Sequence, residues 1–586
     1  MRNYIRLIKL VNTKEKGFTR KTIIYSILLG LLPLLRLVAP KLIIDEFTGA
    51  RRLNVMLTIA IGALVLNFLA DMLKVKASQY YMLSLDHVRD NLAYDLNEKI
   101  LKLPLEMTDS KSIQDKAQEA TQGLQNIWGF FEFLGFGLGQ VATGIFSVFI
   151  LIRLNPLLPL VLLALFLLNK PITKKLKENE ANNQKRSAEE SRIYKYYFNF
   201  ARDFKYSKDI KIYKAENLIL DKADFHLNRM YELNHKYFTV NGIYLGLINV
   251  INNLAIVGSF IYIGSKLLVN AISVANFTLY FNSINGLIEG LNMFQNYYPE
   301  LARLNVTIKA LFEFLDIEES WNEGGDIDNI DLSEVTIEFK DVSFKYPTSE
   351  DYILENCSFS INSGETVALV GRNGAGKSTI VKLLCKFYEA TSGEILLNGI
   401  NINDIDTKYY YQILSPTFQD FRLFPFRIDE NVATIAHEDI SQSNYEEMDK
   451  AIDLLNINLW INNLPKKKAN YISTLFDKNG IQPSGGIGQK LALARSMHHK
   501  GKFIIMDEPT SALDPRSEQE IFENMLAITK DQTSLFISHR LSSTKYADRI
   551  LVCNNGHIEE SGNHNELLKA NNLYAKMFNT QKELYG

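Results

Sequence analysis

The sequence predicts a polytopic α-helical membrane domain followed by an α/β domain of the P-loop type. Long apolar runs fill residues 22–300, whereas residues 333–586 have the composition of an ordinary soluble protein. In that second half, a strand-like segment, a glycine-rich loop and a helical segment follow one another around Gly371. The chain has 586 residues, which is too long for one hydrophobic core. These observations together predict two domains of unlike class.

Six segments meet the requirement for a membrane-spanning helix, which is roughly 20 mostly apolar residues. They are residues 22–44, 54–73, 133–152, 156–169, 240–265 and 274–298. The fourth is short, and its helix is expected to continue past Lys170. The connections at 74–105 and 170–200 also keep helical composition. We therefore expect six spans with long helical extensions into the cytoplasm.

The distribution of lysine and arginine predicts the orientation of these spans. Cations crowd the N-terminus and the connections that follow the second and fourth spans, and they are few in the other connections. The first apolar run has no small-residue cleavage site, so it is expected to remain as an anchor. The N-terminus and the C-terminal half are therefore expected in the cytoplasm of a multi-pass protein.

The predicted organisation is a membrane domain over residues 1–315, an acidic linker over 316–333 and the α/β domain over 334–586. Usage rich in Lys, Asn and Ile indicates a bacterium with an AT-rich genome, and hence a plasma-membrane location.

Charge and cysteine usage exclude several classes of function. The net charge of −2 provides no basic stripe of the kind that nucleic-acid-binding proteins carry. The three cysteines, Cys357, Cys385 and Cys553, lack metal-ligand spacing, and an odd number argues against a disulfide framework. We therefore expect reduced thiols and no nucleic-acid partner.

A polar stripe interrupts the sixth predicted span. Its members recur at spacings of three and four and so share one helical face: Asn282, Asn285, Glu289, Asn292 and Asn296. Further polar residues at bilayer depth are Asn249, Asn252 and Asn253 in the fifth span and Arg36 in the first. The stripe either lines a substrate-facing cavity or ties helices together by hydrogen bonds worth about 1 kcal/mol each. Glu289 either binds cationic groups of a cargo or neutralises Arg36.

The second half contains a complete G-x-x-x-x-G-K-S motif between a strand and a helix, which is the context the motif requires. Its backbone N–H groups and the helix N-terminus are suited to phosphates. Lys377 is expected to neutralise the β- and γ-phosphates, and Ser378 to offer its hydroxyl to Mg²⁺. The predicted nucleotide-binding residues here are Gly371, Arg372, Asn373, Gly374, Ala375, Gly376, Lys377, Ser378 and Thr379. The predicted cofactors are ATP and Mg²⁺.

Two further apolar strands end in residues suited to hydrolysis. The segment FIIMDE ends in Asp507, which suits the Mg²⁺ shell, and Glu508, which suits polarising the attacking water. The segment SLFISH ends in His539. A lone histidine is more often structural, but at the end of a second sheet strand a γ-phosphate sensor is the favoured interpretation.

These motifs resemble those of the ABC transporter superfamily, and the domain order resembles its type IV exporters over nearly the whole chain. The resemblance implies that Tyr346 stacks on adenine and that His539 is the switch histidine. It implies that Gln419, in FQDFRLFPF, touches Mg²⁺ and senses the membrane domain. It also implies that the loop ending at Asp514, in SALD, crosses a dimer interface.

By the same resemblance, segments near 110–124 and 201–217 are expected to be coupling helices that rest on the ATPase domains. The implied mechanism is alternating access, in which ATP closes two nucleotide-binding domains and hydrolysis resets them.

The signature sequence departs from the family pattern. The family has Leu-Ser-Gly-Gly-Gln, and this chain has Pro-Ser-Gly-Gly-Ile at residues 483–487. Ser484, Gly485 and Gly486 remain to hold the γ-phosphate of ATP bound to the other protomer. A homodimer is favoured, and a heterodimer with a second half-transporter is the alternative.

The resemblance implies an ATP-hydrolysing transporter of a peptide or an amphipathic, drug-like molecule. The segments at 474–480 and around Gln419 resemble those of exporters of modified peptides or antimicrobials. A lipid flippase or a siderophore-type importer on the same fold remains an alternative. A non-transporting ATP-gated regulator would have lost catalytic residues or gained large domains, and the sequence shows neither.

Overall fold

The computed structural model describes residues 2–317, 325, 327–347, 349–508, 532–538 and 540–585. Within these, side chains are not described at 31–37, 132, 133, 136, 184, 185, 188, 294–300, 302, 303, 584 and 585. The chain divides into two compact units. The first contains residues 1–101 and 111–317, and the second contains residues 102–110 and 318–586.

The described residues of the first unit are helical apart from short connections. Its helices are α1 (Arg2–Lys14), α2 (Phe18–Thr48), α3 (Leu53–Lys102), α5 (Lys111–Leu154), α6 (Leu157–Leu168), α7 (Lys170–Arg202), α8 (Ser207–Ile212), α9 (Glu216–Leu268) and α10 (Val274–Leu315), with a 3₁₀ turn at Phe204–Tyr206. Helix α4 (Leu105–Asp109) belongs to the second unit. The continuous α3 and α7 confirm the helical connections that the sequence predicts.

Among the residues whose side chains are described, four helical segments are long and apolar enough to cross a membrane: Leu53–Lys102, Gly137–Leu154, Leu157–Asn183 and Glu216–Leu268. They overlap the predicted second to fifth spans. The predicted first and sixth spans lie in α2 and α10, each of which includes residues with undescribed side chains. The number of six spans therefore stays a prediction.

Glycines bring the membrane helices together at backbone distance. A Cβ added at Gly290 of α10 would lie 3.0 Å from Gly144 Cα of α5. Small residues allow this close approach, which favours van der Waals packing between helices in a bilayer.

The helix boundaries near the first predicted coupling segment are now defined, whereas its contact with an ATPase domain stays a prediction. Residues 111–124 form the first part of α5, and the short helix lies earlier, at α4. Pro104 explains the first of these boundaries, because the residue before a proline disfavours the α conformation and so α3 ends at Lys102. Ser110 then has extended backbone angles, φ −73° and ψ 123°, which separates α4 from α5. The second segment, 201–217, contains the 3₁₀ turn and α8.

The second unit contains two sheets. Its strands are β1 (Ile337–Phe344), β2 (Leu354–Ile361), β3 (Thr366–Gly371), β4 (Ser392–Leu397), β5 (Ile400–Asn401), β6 (Leu414–Thr417), β7 (Phe503–Asp507), β8 (Thr533–Ile537), β9 (Arg549–Asn554) and β10 (His557–Gly562). An antiparallel sheet has the order β2-β1-β4-β5. The larger sheet has the order β10-β9-β3-β8-β7-β6 and is parallel from β9 to β6.

Helices cover the larger sheet. They are α11 (Lys377–Leu384), α12 (Thr407–Ile413), α13 (Ile428–Ala433), α14 (Gln442–Leu454), α15 (Asn458–Asn462), α16 (Gly485–His499), α17 (His564–Ala570) and α18 (Leu573–Tyr585), with 3₁₀ turns at Ile402–Asp404, His437–Asp439, Lys467–Ala469 and Ser543–Tyr546. Strand β3 is buried from Thr366 to Val370, as its uninterrupted apolar sequence predicts for a central parallel strand. Strands β3 and β7 are both parallel to β8, so their carboxyl ends meet at one edge of the sheet. This edge is where ligands bind in open α/β sheets.

Candidate nucleotide site

The glycine-rich loop joins β3 to α11 at this edge. Gly374 and Gly376 have left-handed backbone angles, φ 79° and 105°, which glycine adopts without steric cost. A Cβ at Gly376 would also lie 2.7 Å from Leu354 Cδ2. The loop therefore needs glycine here both for its turn and for its packing.

Lys377 begins α11 and is only 6% exposed. Its Nζ donates hydrogen bonds to the carbonyl oxygens of Gly371 and Arg372, each at 3.0 Å. Burial lowers the pKa of this amine. Its two acceptors are loop carbonyls, which places the cation beside the backbone that is predicted to surround the phosphates.

Asp507 ends β7 and is 6% exposed. Burial, and then the neighbouring charge of Glu508, raise the pKa of its carboxyl group to about 6. Its Oδ1 is buried without a hydrogen-bond partner in the described part of the chain. A buried carboxylate oxygen without a partner is costly unless a cation binds it.

Glu508 and Gln419 meet beside the loop. Gln419 Nε2 donates to Glu508 Oε2 at 2.7 Å. A cavity of about 320 Å³ lies between these side chains and the glycine-rich loop. Its lining residues are Asn373, Gly374, Gly376, Lys377, Ser378, Thr379, Gln419 and Glu508. The structure thus brings together residues that lie far apart in the sequence.

The remaining residues of the loop lie close to this cavity. Gly371 and Arg372 supply the carbonyls that hold Lys377. Ala375 is buried, and its carbonyl oxygen accepts a hydrogen bond from Cys553 Sγ of β9 at 2.9 Å. This hydrogen bond therefore attaches the loop to β9 of the larger sheet.

The oxygen donors present here fit Mg²⁺. The predicted ligands are the Asp507 carboxylate, the Ser378 hydroxyl and the Gln419 amide oxygen, and hard divalent cations prefer oxygen. Ser378 also forms a hydrogen bond that lowers the pKa of Asp507. Over the described residues, no cluster of three or more His, Cys, Asp or Glu could hold a metal. One carboxylate supplemented by substrate phosphates is the usual arrangement for Mg²⁺.

Tyr346 lies next to α11. Its hydroxyl is 3.3 Å from Thr379 Oγ1, and its ring packs edge-on against Tyr388 with centroids 5.2 Å apart. The Tyr388 hydroxyl in turn donates to Asp109 Oδ2 of α4 at 2.6 Å. The predicted adenine-stacking position is therefore one ring away from the short helix that precedes α5.

The signature residues lie at the start of α16. Ser484 is the N-cap, and its Oγ accepts a hydrogen bond from the backbone N–H of Ile487 at 3.4 Å. Ser484 and Gly485 are exposed, Gly486 is half-buried, and none of them lines the cavity formed by the chain's own loop. Asp514 and His539 lie outside the described residues.

Gln489 is a residue of this site that sequence reasoning missed. Its Nε2 donates to the carbonyl oxygen of Glu508 at 3.1 Å. The available signal was a glutamine in the same helix as the signature, followed by the mostly apolar run LALA.

The polar stripe of the membrane unit forms contacts between helices. Asn169 Nδ2 donates to Asn252 Oδ1 at 3.2 Å, and Asn252 Nδ2 donates to Asn292 Oδ1 at 3.3 Å. Asn292 therefore ties α10 to α9, as one of the two interpretations predicts, and Asn169 was missed. Of the other members, Asn282 and Asn285 are half-buried and Glu289 is exposed. The side chains of Arg36 and Asn296 lie outside the description.

Comparison with known families gives two matches. Residues 354–511 match the ABC transporter family, and residues 21–289 match the ABC transporter transmembrane region. Among solved structures, a bacterial Atm1-family ABC exporter with ATP bound has a TM-score of 0.80 at 23% identity. The alignment covers 97% of this chain and 99% of that chain, and it shows the fold.

Two kinds of curated relative are similar in sequence. The subtilin transport ATP-binding protein SpaT of Bacillus subtilis is 29% identical, over 98% of this chain and 94% of the relative. The ATP-dependent lipid A-core flippase of Haemophilus influenzae (strain 86-028NP) is 35% identical, over 60% of this chain. That second match spans 59% of the flippase, which is less than two thirds of its length. Since one chain carries both the membrane and the ATP-binding regions, the protein belongs to the ABC transporters as a half-transporter in which the two regions are fused.

Proposed function

We propose that this chain hydrolyses ATP to export an amphipathic peptide across the bacterial plasma membrane, and that it works as a homodimer. The observation that carries hydrolysis is the cavity in which Lys377, Gln419 and Glu508 face one another beside the buried Asp507. A cation, a carboxylate and a hydrogen-bonding amide around one phosphate-sized space suit phosphoryl transfer to water.

Each side chain of the site has its own role in this proposal. Lys377 neutralises the β- and γ-phosphates, and Glu508 polarises the attacking water and accepts its proton. Asp507, Ser378 and Gln419 would hold Mg²⁺, which supplies charge neutralisation at the phosphates when bound. Tyr346 stacks on the adenine, and His539 senses the γ-phosphate.

A dimer completes the site. Ser484 and Gly485 are exposed and lie outside their own chain's cavity, at a helix N-terminus that favours anions. We infer that they contact the γ-phosphate of ATP bound to a second copy, and that the loop containing Asp514 crosses the same interface. ATP then closes the two nucleotide-binding domains, and hydrolysis releases them. The N-terminus and these domains lie in the cytoplasm.

An amphipathic peptide is the cargo that two observations favour. The relative aligned over 98% of the chain is a subtilin transport protein. Glu289 is exposed on α10, one turn from Asn285 and from Asn292, so it offers a carboxylate to cationic groups of a peptide. A lipid is the second candidate, since the lipid A-core flippase is 35% identical over its matched region.

The first experiment measures Mg²⁺-ATPase turnover of the purified chain in lipid nanodiscs beside Glu508→Gln. Removal of a general base costs about 10²–10⁴-fold in rate, so we expect turnover to fall at least 100-fold while ATP binding is kept. The exposed Glu438→Gln is the matched control and should leave turnover unchanged. Unchanged turnover in Glu508→Gln would show that the role of Glu508 is wrong. Negligible turnover of the folded, ATP-binding wild type would instead favour a heterodimer.

A second experiment separates the two cargoes. Inside-out vesicles, whose nucleotide-binding domains face the external solution, are given ATP in that solution and offered a labelled cationic amphipathic peptide or a fluorescent lipid. We expect ATP-dependent uptake of the peptide that Glu289→Gln reduces, with lipid movement unaffected by that change. Lipid movement alone would favour the flippase.

A further inference from the structure

Gln489 connects the signature helix to the end of β7. It lies in α16, five residues after the N-cap Ser484, and its side chain is 1% exposed. Its Nε2 donates to the carbonyl oxygen of Glu508 at 3.1 Å. A buried amide needs its hydrogen bonds satisfied, so this contact has a defined geometry rather than that of a mobile surface side chain.

The backbone of Glu508 is in an unusual conformation. Its φ of 50° lies in the left-handed region, which is sterically unfavourable for a residue with a side chain. Such conformations persist only where the surrounding structure fixes them. The N–H of Glu508 donates to Ile537 O of β8 at 3.1 Å, and its carbonyl accepts from Gln489. The neighbouring strand therefore holds one side of this residue and the signature helix holds the other.

The direction of the Glu508 carboxylate depends on this backbone. Its Oε2 accepts from Gln419 Nε2 at 2.7 Å, on the wall of the nucleotide cavity. If the φ angle relaxed to a negative value, the Cα–Cβ bond would point in another direction and the carboxylate would leave that wall. Since misplacement of a reacting group by about 1 Å can cost 10²-fold in rate, the contact that fixes this angle matters for turnover.

We propose that Gln489 is a positioning residue for ATP hydrolysis, which acts by holding the Glu508 backbone in the left-handed conformation that aims its carboxylate into the cavity. This proposal rests on the proposed role of Glu508. It also connects the N-terminus of α16 with a site one to two turns further along the same helix. The helix N-terminus is offered to the ATP of a second copy, and a residue less than two turns later holds the water-polarising group of its own chain. Engagement of the signature can therefore affect the chain's own hydrolysis through one side chain.

The test is Gln489→Met in the full chain in nanodiscs. Methionine has nearly the same length and volume but no N–H donor, so it removes the hydrogen bond without opening a cavity. We expect kcat, normalised to the number of ATP-binding sites, to fall about tenfold, and the KM for ATP to stay within about twofold. Gln442→Met, at an exposed position that starts α14, is the matched control and should not change kcat.

A second variant and a double variant keep the test decisive. Gln489→Glu places an acceptor against the carbonyl and should lower kcat further. In the Glu508→Gln background, adding Gln489→Met should cause no additional loss, because Gln489 acts through Glu508. An independent loss in that background, or a lower melting temperature with unchanged site-normalised kcat, would show a structural role only and overturn the proposal.

These outcomes are distinguishable from failure of the proposed function. If Glu508→Gln itself keeps wild-type turnover, the role of Glu508 is wrong. If Glu508→Gln is inactive and both Gln489 variants keep wild-type kcat, only the positioning role is wrong.

Discussion

The two units bury different kinds of polar side chain. In the ATPase unit, several of the most buried polar groups are ionisable, among them Lys377, Asp507 and Lys386, the last of which is 3% exposed. In the membrane unit, several contacts between helices use neutral amides, of which Asn169 is fully buried, and Lys99 is buried there as well. Both units hide polar atoms from water, but only one of them hides charges near a site for a charged ligand.

The difference follows from the backbone that each unit offers. Loops and strand ends leave carbonyl groups without secondary-structure partners, and these accept from the buried amines: Lys377 binds Gly371 and Arg372, and Lys386 binds Ile405 O at 3.1 Å. Helices use most of their backbone groups internally, so amide side chains between two helices pair largely with one another. Some hydroxyl groups instead reach a backbone carbonyl of a neighbouring helix, as Tyr81 does at Phe131 O. Charges at bilayer depth are costly, whereas amides both donate and accept.

Amide side chains form a row of contacts, called the seam, that joins α9 to α7 and to Asn169 just before α7. Its contacts are Asn169 with Asn252 at 3.2 Å, Asn179 with Asn241 at 2.8 Å and Asn183 with Asn234 at 3.1 Å, and His226 with Glu190 at 2.6 Å continues the row. One partner's number rises as the other's falls, as antiparallel helices require. The seam fixes the register of α9 against α7 without a buried charge in its three amide pairs.

The largest effect is expected from removing a buried charge, in Lys386→Met. Burial lowers the pKa of this lysine from 10.5 to about 8. Between those two pH values the unfolded chain binds more protons than the folded one, so this lysine's contribution to stability rises with pH. The contribution is complete above pH 10.5 and is lost as the pH falls through 8, a change of about 3 kcal/mol.

The measurement is the thermal unfolding of the full chain in nanodiscs from pH 7 to pH 10.5. The stability of the wild type relative to Lys386→Met should rise across this range by about the same 3 kcal/mol. The exposed Lys340→Met is the control and should show no such slope relative to the wild type. If the stabilities of wild type and Lys386→Met changed in parallel with pH, this buried amine would make no pH-dependent contribution to stability. The proposed difference between the two units would then not extend to Lys386.

A smaller effect is expected from the membrane unit, in Asn252→Leu. This change removes two interhelical amide hydrogen bonds, each worth about 0.6–2 kcal/mol in a membrane, and it leaves the buried Asn169 without its acceptor. We expect a loss of about 1–2 kcal/mol that does not depend on pH, since no charge is involved. Asn249→Leu, at an exposed position one turn away, is the matched control. If both variants lowered the free energy of unfolding equally, the loss would not come from the hydrogen bonds of Asn252 in the seam.

How much the sequence predicts also differs between the two units. The glycine-rich loop and the β7 carboxylates were predicted residue by residue, because a phosphate site requires particular residue types at fixed spacing next to a strand. Lys377, Gln419 and Glu508 line one cavity, whereas a shared nucleotide site and the individual roles stay predictions. Gln489 could not be predicted, because its partner is a backbone carbonyl that no side-chain pattern encodes.

In the membrane unit, the spacing of polar residues predicted which face of its helix Asn292 and Asn252 each occupy. It did not predict that the two side chains contact each other. Pairing depends on the crossing of helices, and Asn169 lies at the single-residue break between α6 and α7, outside any stripe. The boundaries of α3, α4 and α5 were not predicted for a related reason. A turn between two helices is set by one proline, Pro104, and not by the composition of the residues around it.

The smallest effect is expected at a position where neither a charge nor a buried hydrogen bond is lost, in Ile487→Gln. This change restores the family's signature residue. The cap at Ser484 uses the backbone N–H of Ile487 and not its side chain, so the helix N-terminus that we propose to face a second copy keeps its geometry. The isoleucine side chain is half-buried against the apolar core of the ATPase unit, which limits the cost of a polar replacement to about 1 kcal/mol or less. Mg²⁺-ATPase turnover in nanodiscs should therefore change less than about twofold, as in a homodimer with two competent sites. A rise of tenfold or more would mean that the altered signature weakens hydrolysis in this chain, and it would favour a heterodimer whose partner supplies the intact signature.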